Sequence, residues 1–359
     1  LITYLYFYQE VEMKPRFFVV FLFVFLFSAA LVYSGELNIE KCELSQLKSL
    51  AKEKNTNIVI NFYAYWCPAC RELYKSVLTS EGVKKILSEY VFARCNGEEG
   101  EGEKLFNQYK ITAFPTLLIL DASGKELDRL VDEIDEGKIK KSLEQVKSGK
   151  NELEELAKKS DANPKDVDLM FNVCMSYVFK ADREKAKKYC EKVLKADQKN
   201  EKGYASQVLL SLGKYLYFRG LKDYDLAAAH LEQVIKLFPD SKEAKSAFVF
   251  LISSYVKSGK EGVAVMKLRE LVKKNPNSKE PYKTFAYISW KNKWRIEQGI
   301  ENAKKALDLE PKDDDAWDLL AELYFLKGDK VEAAKAEEEA LKLKPGEEYY
   351  KEQKERFSK

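Results

Sequence analysis

Histidine is nearly absent: His230 stands alone in 359 residues. That scarcity removes most routes to a zinc or imidazole site, because structural zinc takes four His or Cys ligands. Cysteine is also sparse, at six, and only Cys67 and Cys70 stand close together. An excess of either charge is missing, with 61 basic and 58 acidic residues and a formal net charge of +3. Neither half reads as a basic stripe, so nucleic acid is not expected as a partner. No Walker-type Gly-Lys-Ser/Thr, His-Glu-x-x-His or Gly-x-Ser-x-Gly occurs. The loop Asn96 to Glu103 is glycine-rich but carries four glutamates that would repel a phosphate. It reads as a solvated surface loop.

What is present centres on Trp66-Cys67-Pro68-Ala69-Cys70, after the apolar run Ile58 to Tyr65 and before the amphipathic stretch Arg71 to Tyr90. A strand that delivers two cysteines onto the first turn of a helix is a redox arrangement. The helix N-terminus favours a thiolate at Cys67, the expected nucleophile. Pro68 fits the first helical position, where its missing N–H costs nothing. Cys70, one turn on, can resolve a mixed disulfide. The pair would be its own redox group, with no dissociable cofactor and no metal. Two other uses of the pair stay open: a soft-metal (copper) carrier, and a structural or redox-sensing pair in a binding scaffold.

The segment from Asn57 to Val146 resembles a thioredoxin-fold domain: strand-WCxxC-helix, strand, helix, then Ile111-Thr112-Ala113-Phe114-Pro115-Thr116 before two more strands and a helix. Its Tyr-Ala-x-Trp-Cys-x-Ala-Cys pattern is similar to the C-terminal thioredoxin-like domain of DsbD-type interchange proteins. The resemblance implies a mixed sheet flanked by helices, with Pro115 cis beside the cysteines. Trp66, Pro68 and Asn61 would shape the site, and Phe114 and Thr116 would meet an extended substrate. Thioredoxins usually carry an aspartate where this chain has Asn61, which cannot act as a base at neutral pH. The direction of exchange is therefore not implied.

Ahead of this domain, Lys14 and Arg16 precede an apolar run, Phe17 to Val32, and then small residues up to Gly35. Residues 13–35 are expected to be a signal peptide cleaved near Ser34 or, if uncleaved, a membrane anchor. Residues 1–12 read as an upstream extension. Export to the periplasm would place the cysteines where disulfides persist. In a thioredoxin-like sheet, Cys42, on a first strand Leu37 to Cys42, would lie near Cys95, so a Cys42–Cys95 bond is expected against the alternative of two buried thiols.

The thioredoxin-like domain is expected over residues 36–150 and a charged helical linker over 151–166. Beyond it, proline spacing becomes periodic, with Pro311 and Pro345 34 residues apart. Unit 314–347 carries Trp317, Leu320, Ala321, Tyr324, Gly328, Ala333, Ala340 and Pro345 at the positions of a tetratricopeptide repeat. The resemblance extends to an α-helical solenoid of about five repeats over 167–347, with a cap at 348–359. Cys174 and Cys190 occupy facing places of the first repeat's two helices, which makes a staple there an expectation. Carried over residue by residue, the family's groove positions are Phe171, Met175, Val178, Val249, Val256, Ile288 and Phe325. Together the halves imply an exported thiol–disulfide oxidoreductase whose repeats hold a client or redox partner. Membrane contact is expected only through the N-terminal segment.

Overall fold

The computed structural model describes residues 40–149 and 152–358. The N-terminal leader, and the first half of the expected first strand, lie outside the described residues. Among those described, no helix is long and apolar enough to cross a membrane.

The first half is a four-stranded mixed sheet in the order β2-β1-β3-β4. The strands are β1 (Ile58–Tyr63), β2 (Val91–Asn96), β3 (Thr116–Leu120) and β4 (Glu126–Val131). β1 runs parallel to β2 and antiparallel to β3, and β3 runs antiparallel to β4. β1 and β3 are buried nearly throughout. This is why both read as continuous apolar runs rather than alternating ones. Of Leu37 to Cys42, Glu40 makes a single parallel bridge to Ala93, its N–H donating to Phe92 O at 2.8 Å. Cys42 and Cys95 are bonded, with Cα atoms 5.6 Å apart. Helices Leu44–Glu53, Gly100–Gln108 and Glu136–Ser148 flank the sheet.

Five helix pairs follow: Val167–Phe179 with Arg183–Ala196, Tyr204–Leu221 with Tyr224–Leu237, Lys242–Lys257 with Glu261–Lys274, Lys279–Asn292 with Ile296–Leu309, and Asp314–Lys327 with Lys330–Leu343. The second pair is irregular because its first helix widens to π geometry over Leu212–Leu221. Small residues at the crossings (Ala186, Ala227, Ala264, Ala303, Ala333, all fully buried) let paired helices approach closely. Cys174 and Cys190 are bonded across the first pair, with Cα atoms 4.9 Å apart. Helix Glu348–Ser358 closes the array with Phe357 in its core.

The stretch read as a charged linker is a packed element. Helix Glu152–Ala162 turns Leu153, Leu156 and Ala157 into the core of the first repeats. Its Asp161 binds Lys188 at 2.8 Å and Lys192 at 2.6 Å.

The sheet domain is seated directly against the repeats. The C-terminal carbonyl of the first repeat helix, Phe179 O, accepts from Arg129 Nη1 and from Thr112 Oγ1, both at 3.1 Å. Cationic and hydroxyl donors at that end satisfy an orphan carbonyl and complement the helix dipole. Arg129 also donates to Tyr109 O at 2.8 Å and pairs with Glu126. Gly220 permits the approach: a Cβ there would lie 3.0 Å from Ala181 Cβ and 3.1 Å from Thr112 Cγ2.

Candidate active site

β1 ends at Tyr63, and Ala64-Tyr65-Trp66 turns the chain into helix Pro68–Glu72. Cys67 caps that helix, its Sγ accepting from Cys70 N–H at 3.1 Å, with Pro68 at the first helical position. A sulfur held on the free N–H groups of a helix start is where a thiolate is best stabilised. Cys67 and Cys70 are disulfide-bonded, and only 4% and 2% exposed. Ala64, Tyr63, Trp66 and Phe114 pack around the pair.

The Phe114–Pro115 peptide is cis, and Phe114 packs between Trp66 and Phe106, with ring centroids at 6.2 and 4.9 Å. Gly97 makes room for it, since a Cβ there would fall 2.6 Å from the Phe114 ring. Among the described residues, Phe114 makes no backbone hydrogen bond, so its N–H and C=O are unpaired. Thr116 is placed differently from the expectation. It is fully buried, and its hydroxyl is used internally, donating to Ala113 O at 2.8 Å. It braces the loop from inside, with no surface of its own left exposed. Asn61 is 1% exposed and neither atom of its amide has a hydrogen-bond partner among the described residues.

Two of the groove positions need correction. Val178 and Ile288 are fully buried in the array core and line no groove. Phe171 stacks on Tyr204 at 4.2 Å, and Phe325 packs on Phe357 at 5.0 Å. Val249 and Val256 lean on the same core, and Met175 is half-buried. Apolar side chains on a first helix are drawn into contact with the next repeat, where burial is most favourable. His230 is a packing residue, stacked on Tyr217 with Nδ1 2.8 Å from Leu226 O.

The side chains that meet the redox pair from the repeats were not legible in advance. Lys291 Nζ donates to Glu98 Oε1 at 3.0 Å, and Trp66 Nε1 donates to Glu98 Oε2 at 2.7 Å. One carboxylate thus bridges the residue before Cys67 and the fourth repeat. The Lys291 ammonium also lies 4.0 Å over the Trp66 ring and 4.4 Å over that of Trp290. Burial pulls its pKa below the usual lysine value against the opposing pull of Glu98. Yet its side chain keeps 21% of its exposure. The loop read as solvated is therefore part of the site through Glu98. Arg71, just after Cys70, donates to Tyr65 O at 3.1 Å and lies 4.9 Å over the ring of Tyr349. Its guanidinium is also 3.7 Å from Glu347. The end of the array therefore touches the helix that carries the cysteines. Only Trp290, at the end of a first helix, carried a sequence signal.

A buried, disulfide-bonded CxxC pair on a helix start, beside a cis-proline loop, defines a thioredoxin-like domain. Residues 44–147 match the model of a thioredoxin-like domain, and residues 167–200, 207–241 and 295–348 match tetratricopeptide repeat models. The chain is thus a thioredoxin-like domain joined to a tetratricopeptide array. Its first part is similar to the thiol:disulfide interchange protein DsbD of Actinobacillus pleuropneumoniae serotype 5b (strain L20), 30% identical over 98 residues. That match covers 26% of this chain and 17% of the relative. The DsbD protein of Salmonella typhi is 31% identical over 86 residues, covering 23% of this chain and 15% of the relative. The chain thus spans under a fifth of these relatives' length. Among solved structures, a thioredoxin from Thermus thermophilus is 25% identical, covers 28% of this chain and 82% of its own, and has a TM-score of 0.27. At a coarse level, the chain shares a thioredoxin-like domain with thiol:disulfide interchange proteins and carries a bonded Cys67–Cys70 pair in CxxC spacing within it.

Proposed function

We propose that this is an exported oxidoreductase that reduces or exchanges disulfides of envelope client proteins, with the repeats holding the protein partner at the redox pair. The observation that carries the reading is Cys67 Sγ on the Cys70 N–H, beside an unpaired Phe114 backbone. Export is supported by the pairing of all six cysteines, an arrangement at home outside the reducing cytoplasm.

In the reducing direction, the Cys67 thiolate attacks one sulfur of a client disulfide. A Cys67–client bond forms, the client S–S bond breaks, and the departing thiolate takes up a proton. Cys70 then loses its proton and attacks Cys67 Sγ. The second client thiol leaves, and the Cys67–Cys70 disulfide carries the two electrons' worth of oxidation. A further dithiol protein must reduce it again. The same steps reversed donate a disulfide.

The test is trapping. A Cys70→Ser variant should accumulate mixed disulfides through Cys67, and Cys67→Ser should accumulate none. Should Cys70→Ser trap nothing from an envelope extract, and the pair show no reversible couple with glutathione, the enzyme reading falls.

A further inference from the structure

Two cations on the first helix of the second repeat, Lys214 and Arg219, have no carboxylate in ion-pair contact among the described residues; Asp132 and Glu98 act on them only from a distance. Lys214 makes no hydrogen bond or ion pair among the described residues; its ammonium only overlies the rings of Tyr215 at 4.7 Å and Phe250 at 5.0 Å. Arg219 shares the Phe250 ring at 5.4 Å, and one of its five N–H donors reaches Thr112 O at 3.3 Å. Its remaining donors have no partner among the described residues. Both side chains remain partly accessible although surrounded by protein. Burial, then the nearby charge of Arg219, pulls the Lys214 pKa down to about 8, against a weaker upward pull from Asp132. Asp132 itself is exposed and forms no ion pair with Lys214. Two unpaired cations crowded on one ring cost free energy that an incoming anion would offset.

Their place gives the anion its identity. Arg219 is bonded to Thr112, two residues before Phe114, whose side chain packs against Cys67 and Cys70 and whose backbone edge is unpaired. A segment laid along that edge would carry its neighbouring side chains over Arg219 and Lys214. We propose that Lys214 and Arg219 form a subsite for a carboxylate side chain of the client, so that the preferred client is an extended segment with an acidic residue a few positions from its cysteine. This rests on the exchange reading for the substrate's identity, but not for its binding. The cleft is closed on its other flank by Glu98 and Lys291, where the cation already has its partner.

The test separates binding from chemistry. Two short fluorescein-labelled peptides, each with one S-methylated cysteine, would differ only in glutamate or glutamine on both sides of it. Anisotropy titrations on the oxidised full chain should give about tenfold tighter binding of the glutamate peptide, the scale of one charge-assisted hydrogen bond. A Lys214→Met/Arg219→Gln double variant should bind both alike. Lys214→Arg, which keeps the charge, should retain the preference and guards against a variant that merely misfolds. Equal binding by the native chain, or a preference that survives in a folded double variant, would overturn the subsite. Because the methylated cysteine cannot react, a protein that binds selectively but never exchanges disulfides would refute the redox reading alone.

Discussion

The disulfides sit in two contrasting surroundings. Cys174–Cys190 crosses the middle of two helices, both cysteines fully buried, among Val173, Tyr177 and Val193. Cys67–Cys70 lies at a helix start on a seam between the sheet domain and the repeats, edged by Glu98, Lys291 and Arg71. Exposure does not separate the kinds, since Cys42 of the third bridge is more open than Cys67. What differs is the fate of a thiolate. At the helix start it would meet a free N–H and the positive end of the dipole, whereas mid-helix the backbone donors are already used. One setting suits a bond that is made and broken, the other a bond that only restrains the chain.

The sharpest way to break this contrast is to remove one sulfur from each setting. Cys67→Ser should reduce the rate of disulfide exchange with a model disulfide-bonded protein by at least about a thousandfold, since no other nucleophile replaces it. A smaller residual loss would mean that exchange runs elsewhere. The double variant Cys174→Ala/Cys190→Ala should keep the exchange rate while lowering stability by about 3 kcal/mol, the scale for a short closed loop. Denaturant unfolding measures it. Lost exchange in that folded variant would erase the distinction.

A pH dependence sharpens the comparison from the far end of the array. There Glu337 is fully buried beside Asp318, with which it can share a proton in a side-chain hydrogen bond. Burial, then repulsion from Asp318 and Glu322, pushes its pKa up to about 10, and burial with the Glu322 charge pushes Asp318 up to about 7. Asp315 adds to the repulsion, while Arg356 of the last helix pairs with Glu322 and opposes it. Both acids bind protons more tightly folded than unfolded. Their contribution is fully present below about pH 4, the ordinary carboxylate range, and is lost as pH rises through about 7 and on toward 10. Thermal unfolding of the last two repeats and cap should therefore occur at higher temperature at pH 5 than at pH 8. Glu337→Gln should flatten the difference. The disulfide-stapled first repeat has no such buried pair and should show little of it.

The smallest expected effect concerns Asn61. Replacing a buried amide that has no partner by an apolar group of similar size should be neutral or stabilise by about 1 kcal/mol. Asn61→Leu in denaturant titrations checks this; a marked loss would reveal a hydrogen bond that Asn61 makes in solution.

The fold was legible because its signals are local. The cysteine spacing, the Phe114-Pro115 turn and the recurring small residues each lie within one element or one repeat. The seam was not, because Glu98 and Lys291 are 193 residues apart and meet only through the placement of the whole array. Glu98 read as one more solvated glutamate, and Glu337 as one more charge on a helix rich in them. Two groove residues were misplaced for a related reason. Val178 and Ile288 occupy positions that face a ligand in an open array, but here neighbouring helices claim them. The charged Lys291 and Arg219 reach the sheet domain instead, at Glu98 and Thr112 O.

The most direct measurement is differential alkylation across a glutathione series, with each cysteine pair quantified by mass spectrometry. The account predicts that Cys67 and Cys70 open and reclose reversibly at a poise where Cys42–Cys95 and Cys174–Cys190 stay bonded. If all three pairs opened together, or Cys67–Cys70 stayed closed while another opened, the division between a working bond and two restraining ones would be contradicted.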